Sequence, residues 1–296
     1  MAHAAFTLFD LAPSKLVLGR YRIVAASRSG GLSATFVAKD EQSGEVARDL
    51  TVFPPALFES PSQAGDYRRA LESWRKVEHV GVPRVLDVLL PAPATILLVA
   101  EAPRGTPLSE WRKHHERPSQ AFVAALGVSA LAALEAIHAK KLVHGDVKPA
   151  TLYVDDGAAT DARGSPSAQL VDGGVTPGLW NAKHLGDRTA LIGTPFYAPV
   201  EQFGGESPDV SSDVYNVAAV LFELATGVLP WPGRSFLEIF QAKLDKQAPS
   251  MRKRAPDVDV DPDFEHAVQR GLFADKRQRY ADAAQFKAAL LPFAKR

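Results

Sequence analysis

The apolar pattern of this chain changes period near Gly105, and that change restricts it to a small set of folds. Before it, short runs rich in Val, Ile, Leu and Thr occupy residues 21–25, 34–38, 46–53, 85–90 and 95–100, which predicts strands. Gln42, Ser43 and Gly44 supply a hairpin turn between the second and third. One polar helix, residues 64–77, interrupts the series. Beyond Gly105, Ser119 can cap a helix whose Phe122, Leu126, Ala130, Leu134 and Ile137 recur at helical spacing. Residues 212–225 predict a second buried helix, which Gly227 ends. Strands first and helices later imply an α+β protein, and 296 residues suffice for two lobes. The Gly-, Asp- and Pro-rich stretches 155–167 and 248–262 predict loops.

Charge and cysteine usage remove several functions. The chain carries 34 Lys+Arg against 34 Asp+Glu, so bulk charge does not favour a nucleic-acid or anionic-membrane partner. With no cysteine, disulfides, thiolate zinc sites and cysteine nucleophiles are excluded, which fits a cytoplasmic location. Residues 1–10 lack a basic region leading into an apolar run, and the runs 95–100 and 214–225 are too short or interrupted to span a bilayer. No membrane segment is expected. His114 and His115 diverge as helix neighbours, so a solvated pair is expected there rather than a metal site. The basic run 251–254 is expected as solvated loop.

Chemistry concentrates in residues 142–154, LVHGDVKPATLYV. An apolar start leads to a loop that can present Asp146 and Lys148 together, a carboxylate to orient a hydroxyl and an ammonium to hold a phosphate. Further on, Gln169, Leu170 and Val171 deliver Asp172 into Gly173 and Gly174, as a strand would deliver a Mg²⁺ ligand.

In this order the segments resemble a bacterial-type Ser/Thr protein kinase domain over roughly residues 21–291. HGDVKP at 144–149 resembles the catalytic loop, and Asp172-Gly173-Gly174 the DFG element. GTPFYAPVEQ at 193–202 resembles the end of the activation segment, with Glu201 on the APE glutamate. Asp213 matches the residue that holds the catalytic-loop backbone, and Arg279 the arginine that pairs with the APE glutamate. The resemblance implies an antiparallel-sheet small lobe at 15–103, after a flank at 1–14, and a mainly helical large lobe at 104–296. It implies nucleotide contacts at Gly30, Gly31, Ala47, Glu101, Pro103 and Asp172. Because such domains are often fused to membrane or sensor regions, the chain is expected to be a piece of a larger protein.

Several positions depart from the family pattern. Asp49 stands where the lysine that grips the α/β-phosphates belongs, and Ala70 where its glutamate partner belongs. Thr151 replaces the asparagine that holds the second Mg²⁺, and Gly173 the DFG phenylalanine. In the glycine loop, residues 28–33, the middle glycine remains while Arg28 and Ser33 replace the outer two. Gly145 removes the arginine that normally receives an activation-segment phosphate. A unit charge about 4 Å from another is worth on the order of 4 kcal/mol at an effective dielectric of 20, so exchanging Lys for Asp is costly for phosphate binding unless Asp49 turns away or binds a metal. Arg48 points to the opposite face of its strand, and Lys39 is expected to be solvated, so neither substitutes.

The expectation is a pseudokinase acting as a protein-binding or allosteric module for another signalling protein. ATP binding would be weak and poorly Mg²⁺-dependent, with any Mg²⁺ held only at Asp172. Asp146 and Lys148 would be vestigial, and Glu201, Arg279 and Asp213 structural. Trp74 is expected either to fill the volume vacated by Gly173 or to be half-exposed helix packing. The alternatives are an atypical active kinase using Asp146, Lys148 and Asp172, or a nucleotide switch without catalysis.

Overall fold

The computed structural model describes residues 8–29, 32–155, 157, 165–183, 195–244 and 248–294. Two compact units result. Of the described residues, those up to Glu78, with Pro83–Pro103, form the first; His79–Val82 joins Arg104 and all that follows in the second.

The first unit is built on a six-stranded antiparallel sheet. Its strands are β1 (Leu16–Val17), β2 (Tyr21–Ser29), β3 (Ala34–Asp40), β4 (Val46–Phe53), β5 (Val85–Ala92) and β6 (Thr95–Glu101), in the order β1-β2-β3-β4-β6-β5. Alternation along β4 sorts its residues between two faces. Leu50 and Val52 join Ile23, Ala38, Leu97 and Val99 in one apolar cluster. Phe53 points the other way and meets Tyr67 edge-on, with ring centroids 5.1 Å apart. Tyr67 belongs to α1 (Pro61–Glu72), which starts where Ser60 accepts a hydrogen bond from Gln63 N.

That helix ends earlier than its sequence predicts. Ser73 Oγ donates back to the Ala70 carbonyl at 2.5 Å, and residues Ser73–Lys76 tighten into a 3₁₀ turn. Trp74 therefore sits on this turn and not on the α-helix, and it is buried, not half-exposed.

In the second unit, β7 (Thr106–Pro107), β8 (Leu152–Asp155) and β9 (Ser167–Leu170) form a small antiparallel sheet. His79–Val82 is tied to it: Gln169 Nε2 donates to Val80 O at 2.9 Å, and Leu170 N to Gly81 O at 2.8 Å. The helices are α2 (Leu108–His114), α3 (Gln120–Ala139), α4 (Val175–Ala182), α5 (Val200–Phe203), α6 (Val210–Thr226), α7 (Phe236–Lys243), α8 (Met251–Arg254), α9 (Pro262–Gly271) and α10 (Ala283–Leu290). Gly127 lets α3 approach its neighbours, since a Cβ there would come within 2.7 Å of a Leu221 methyl on α6. By length and composition α3 could cross a membrane; it is the one such helix among the described residues, and its Val123, Leu126, Ala130, Leu134 and Ile137 are buried. Asp209 and Ser212 form a capping box at the start of α6, and Gly227 closes it in the left-handed region.

The run 251–254, expected as solvated loop, is instead the helical turn α8. Ser250 caps it, Met251 is buried, and Arg254 donates to Leu229 O at 3.1 Å. His114 and His115 are both exposed; His114 contacts Glu110 at 3.1 Å, and the His115 ring stacks on Trp111. In the stretch 155–167, residues 156 and 158–164 lie outside the described residues.

Glu201 on α5 is held by Arg279 through two parallel bonds of 2.6 and 2.8 Å. Arg279 is fully buried and also donates to Phe273 O and Ala274 O. Removing either partner leaves the other charge buried, so Arg279→Met is expected to cost about 3–5 kcal/mol. Urea denaturation of Arg279→Met, Glu201→Met and the double variant checks this, the double costing less than the two singles summed.

Candidate active site

The second unit holds a loop organised by one carboxylate. Asp213, in the first turn of α6 and inaccessible to solvent, accepts bonds from His144 N (2.9 Å) and Gly145 N (2.7 Å). It also contacts His138 Nε2 at 2.8 Å. His144 is buried, and that burial pushes its imidazole below the usual histidine range. The neutral ring has one donor and one acceptor. Its Nε2 pairs with Val171 O at 3.0 Å, and Nδ1 accepts from Asp146 N at 3.4 Å, so one side chain links the 144–151 loop to the strand leading to Asp172.

Within the loop, Lys148 Nζ donates to Asp146 Oδ2 at 2.6 Å, both side chains being about one-fifth exposed (21% and 20%). Thr151 is buried, and its hydroxyl is committed to the loop itself: it donates to Asp146 O at 2.7 Å and accepts from Lys148 N at 3.1 Å. Asp172 lies half-buried with φ of 60°, an unusual conformation for a residue with a side chain. Gly174 follows at φ 76° and donates to His144 O at 3.1 Å, where α4 begins. Gly173, between them, is half-buried. Tyr153 is buried on β8.

Residues 196–201 are anchored from three sides. Lys243, almost wholly buried on α7, donates to Phe196 O at 3.0 Å and Ala198 O at 2.5 Å. Burial pushes its ammonium well below the usual lysine range. Tyr197 donates to Glu223 at 2.6 Å, and Arg112 of α2 reaches the same carboxylate at 2.7 Å. Asn216 Nδ2 donates to Tyr197 O at 2.8 Å. Gly193 and Thr194 lie outside the described residues.

In the first unit, Asp49 does not turn away to solvent. It is buried on β4, opposite Val37 and Ala100, and Arg28 Nη1 donates to its Oδ2 at 2.6 Å. The side chains are 14% and 4% exposed. The sheet explains the meeting: Arg28 pairs with Thr35, Thr35 pairs with Thr51, and Asp49 precedes Thr51 on the same face of β4. The local reversal expected at position 49, a cation lost and an anion gained, is thus offset by a second cation twenty-one residues earlier.

The remaining positions divide. Arg48 takes the opposite face, half-buried, with Nε 3.8 Å from Asp40, rather than projecting freely. Lys39 pairs with Glu45 at 2.9 Å and is half-exposed. Ala47 is exposed near the start of β4; Glu101 Oε2 accepts from Arg84 N at 3.2 Å; Pro103 and Ala70 are partly buried. Gly30 and Gly31 lie outside the described residues. Sequence reading missed Arg28 as a partner: the opposite charges at positions 28 and 49 are visible in the sequence, but their meeting depends on a register shift in β2. It also missed Lys243, which no motif marks.

A protein kinase domain model matches residues 58–289. Over 280 residues, covering 93% of this chain and 50% of the relative, 25% are identical to the serine/threonine-protein kinase pkn3 of Myxococcus xanthus. Identity is 26% over 288 residues to the DNA damage-responsive serine/threonine-protein kinase RqkA of Deinococcus radiodurans, covering 97% and 41%. It is 28% over 281 residues to the serine/threonine-protein kinase PknB of Mycobacterium tuberculosis, covering 92% and 42%. The chain thus spans half or less of the length of these relatives. With most of its residues inside one family model, and with a sheet-based unit followed by a mainly helical one, this chain belongs to the protein kinase domain family.

Proposed function

We propose that this kinase domain is a pseudokinase: a protein-binding or allosteric module in signalling that binds ATP weakly or not at all and does not transfer phosphate efficiently. The Arg28–Asp49 pair carries the reading. Phosphoryl transfer rests on positioning and electrostatics, and its family-typical lysine position holds a buried anion already matched to a guanidinium.

Arg28 does not readily replace that lysine. To reach a phosphate it would have to give up its 2.6 Å bond to buried Asp49, and breaking one side of a buried ion pair costs about 3–5 kcal/mol. At about 1.4 kcal/mol per decade, that weakens nucleotide binding roughly a hundredfold or more. Thr151 adds to the misfit, because its hydroxyl is already bonded to Asp146 O and Lys148 N. The residues present therefore fit a Mg²⁺–ATP complex poorly.

A second reading, an atypical active Ser/Thr kinase, is favoured by the 2.6 Å Asp146–Lys148 pair, by the presence of Asp172, and by relatives named as Ser/Thr kinases. Calorimetric titration with ATP, with and without Mg²⁺, is paired with a phosphate-transfer assay to separate the readings. The proposal expects no transfer, and binding that is weak and insensitive to Mg²⁺. Transfer lost in Asp146→Asn would establish the second reading, and tight binding without transfer would make the domain a nucleotide switch.

Single and combined substitutions test the cause. Asp49→Lys alone should lower stability, by placing a lysine against buried Arg28, without improving binding. Arg28→Gly, Asp49→Lys and Ala70→Glu together should raise ATP affinity at least about tenfold by calorimetry. Recovery in Asp49→Lys alone would show that Arg28 is no obstacle.

A further inference from the structure

The stretch after Asp172 is packed against the catalytic-type loop at one atom-sized gap. Gly145 has φ of 77°, and a Cβ built on it would lie 2.6 Å from Pro177 Cδ, 2.9 Å from Pro177 Cγ and 3.2 Å from Pro208 Cβ. The pyrrolidine ring of Pro177 thus occupies the space that any side chain at position 145 would need. Pro177 lies in the first turn of α4, where a missing N–H costs no helical bond. Around it, Val175, Thr176, Gly178, Leu179, Trp180 and Ala182 are all buried. Gly174 N on His144 O and Gly178 N on Gly174 O fix the start of the helix to the same loop.

Position 145 is also where the family pattern places the arginine that receives an activation-segment phosphate. Here the same position supplies a surface for packing instead of a charge for pairing. We propose that the pyrrolidine ring of Pro177, seated on Gly145, pins residues 175–182 as a helix against the 144–151 loop, so that this segment holds one conformation without a phosphorylated side chain. Since it rests on packing inside the second unit, the proposal holds whether or not the nucleotide reading above does.

Hydrogen–deuterium exchange by mass spectrometry on phosphate-free protein, its state checked by intact mass, tests the idea. Residues 175–182 should be protected in wild type, and phosphatase treatment should change nothing. Gly145→Ala should speed their exchange about tenfold, while the buried part of α6 keeps its protection. In a Pro177→Ala background, which lacks the two ring atoms that the new Cβ would strike, the same substitution should speed exchange by a clearly smaller factor, what remains being the backbone strain at φ 77° that both backgrounds share. Equal factors in the two backgrounds, or protection seen only in phosphorylated protein, would overturn the proposal. Should Gly145→Ala fail to fold, Pro177→Ala alone decides: faster exchange confined to 175–182 supports the contact, and unchanged exchange refutes it.

Discussion

Asp213 fixes the start of the second unit's catalytic-type loop, and the rest of the loop is bonded onward from there. A carboxylate removed from solvent needs its oxygens satisfied, and here two backbone amides and an imidazole converge on it. Because His144 and Gly145 each give their N–H to Asp213, the chain must turn at that point. The turn then aims His144 at Val171 and leaves Asp146 beside Lys148. Thr151 and Gly174 close the loop from its far end and from the next strand. Without the buried carboxylate, the loop would lose the bonds that hold the His144 and Gly145 backbone just before Asp146.

The first unit depends on a different balance. A buried aspartate on β4 would be costly alone, and an arginine at the start of a glycine loop would sacrifice the close approach that glycine allows. Together they form one 2.6 Å pair. Each charge therefore helps to offset the burial of the other, and replacing either alone breaks that pair. That coupling is a stronger statement than the loss of a lysine, because it describes what has taken over the space.

Much of the fold was legible in the sequence, and the misses share a cause. Strands from 21 to 101 showed as apolar runs between turn residues, and α3 and α6 as helical repeats with a capping serine before α3 and a closing glycine after α6. By contrast, α4 reads VTPGLWNA, with Pro and Gly inside it and Gly174 at its cap, so no local preference announces a helix; packing against Gly145 supplies what propensity lacks. The end of α1 at Glu72 was hidden because Ser73 redirects its hydroxyl to the backbone without any break in the polar pattern. In α8, buried Met251 and the Arg254 bond to Leu229 O make a helical turn of residues whose charge suggested a solvated loop. Of the site, Asp146, Lys148 and Asp172 were readable from spacing. The Arg28–Asp49 pair was not, since it depends on a register shift in β2 between Ala26 and Arg28.

The two classes of charged residue in this domain behave differently. Asp213, Glu201 and Arg279 work on backbone groups or on each other: Asp213 orients a loop, and Arg279 binds Glu201 while donating to three carbonyls. Their removal would unfold or loosen the protein whatever its activity. Positions 49, 70 and 151 serve, by the family pattern, a nucleotide and its metals, and it is these that carry Asp, Ala and Thr. Under the function proposed above, a domain that needs only its shape to engage a partner would retain the first class and be released from the second. The vacated positions can then take residues that pack, as Thr151 does in bonding its own loop and Asp49 in pairing with Arg28. On the pseudokinase reading proposed above, these departures are the pattern expected when shape remains useful and phosphate chemistry does not.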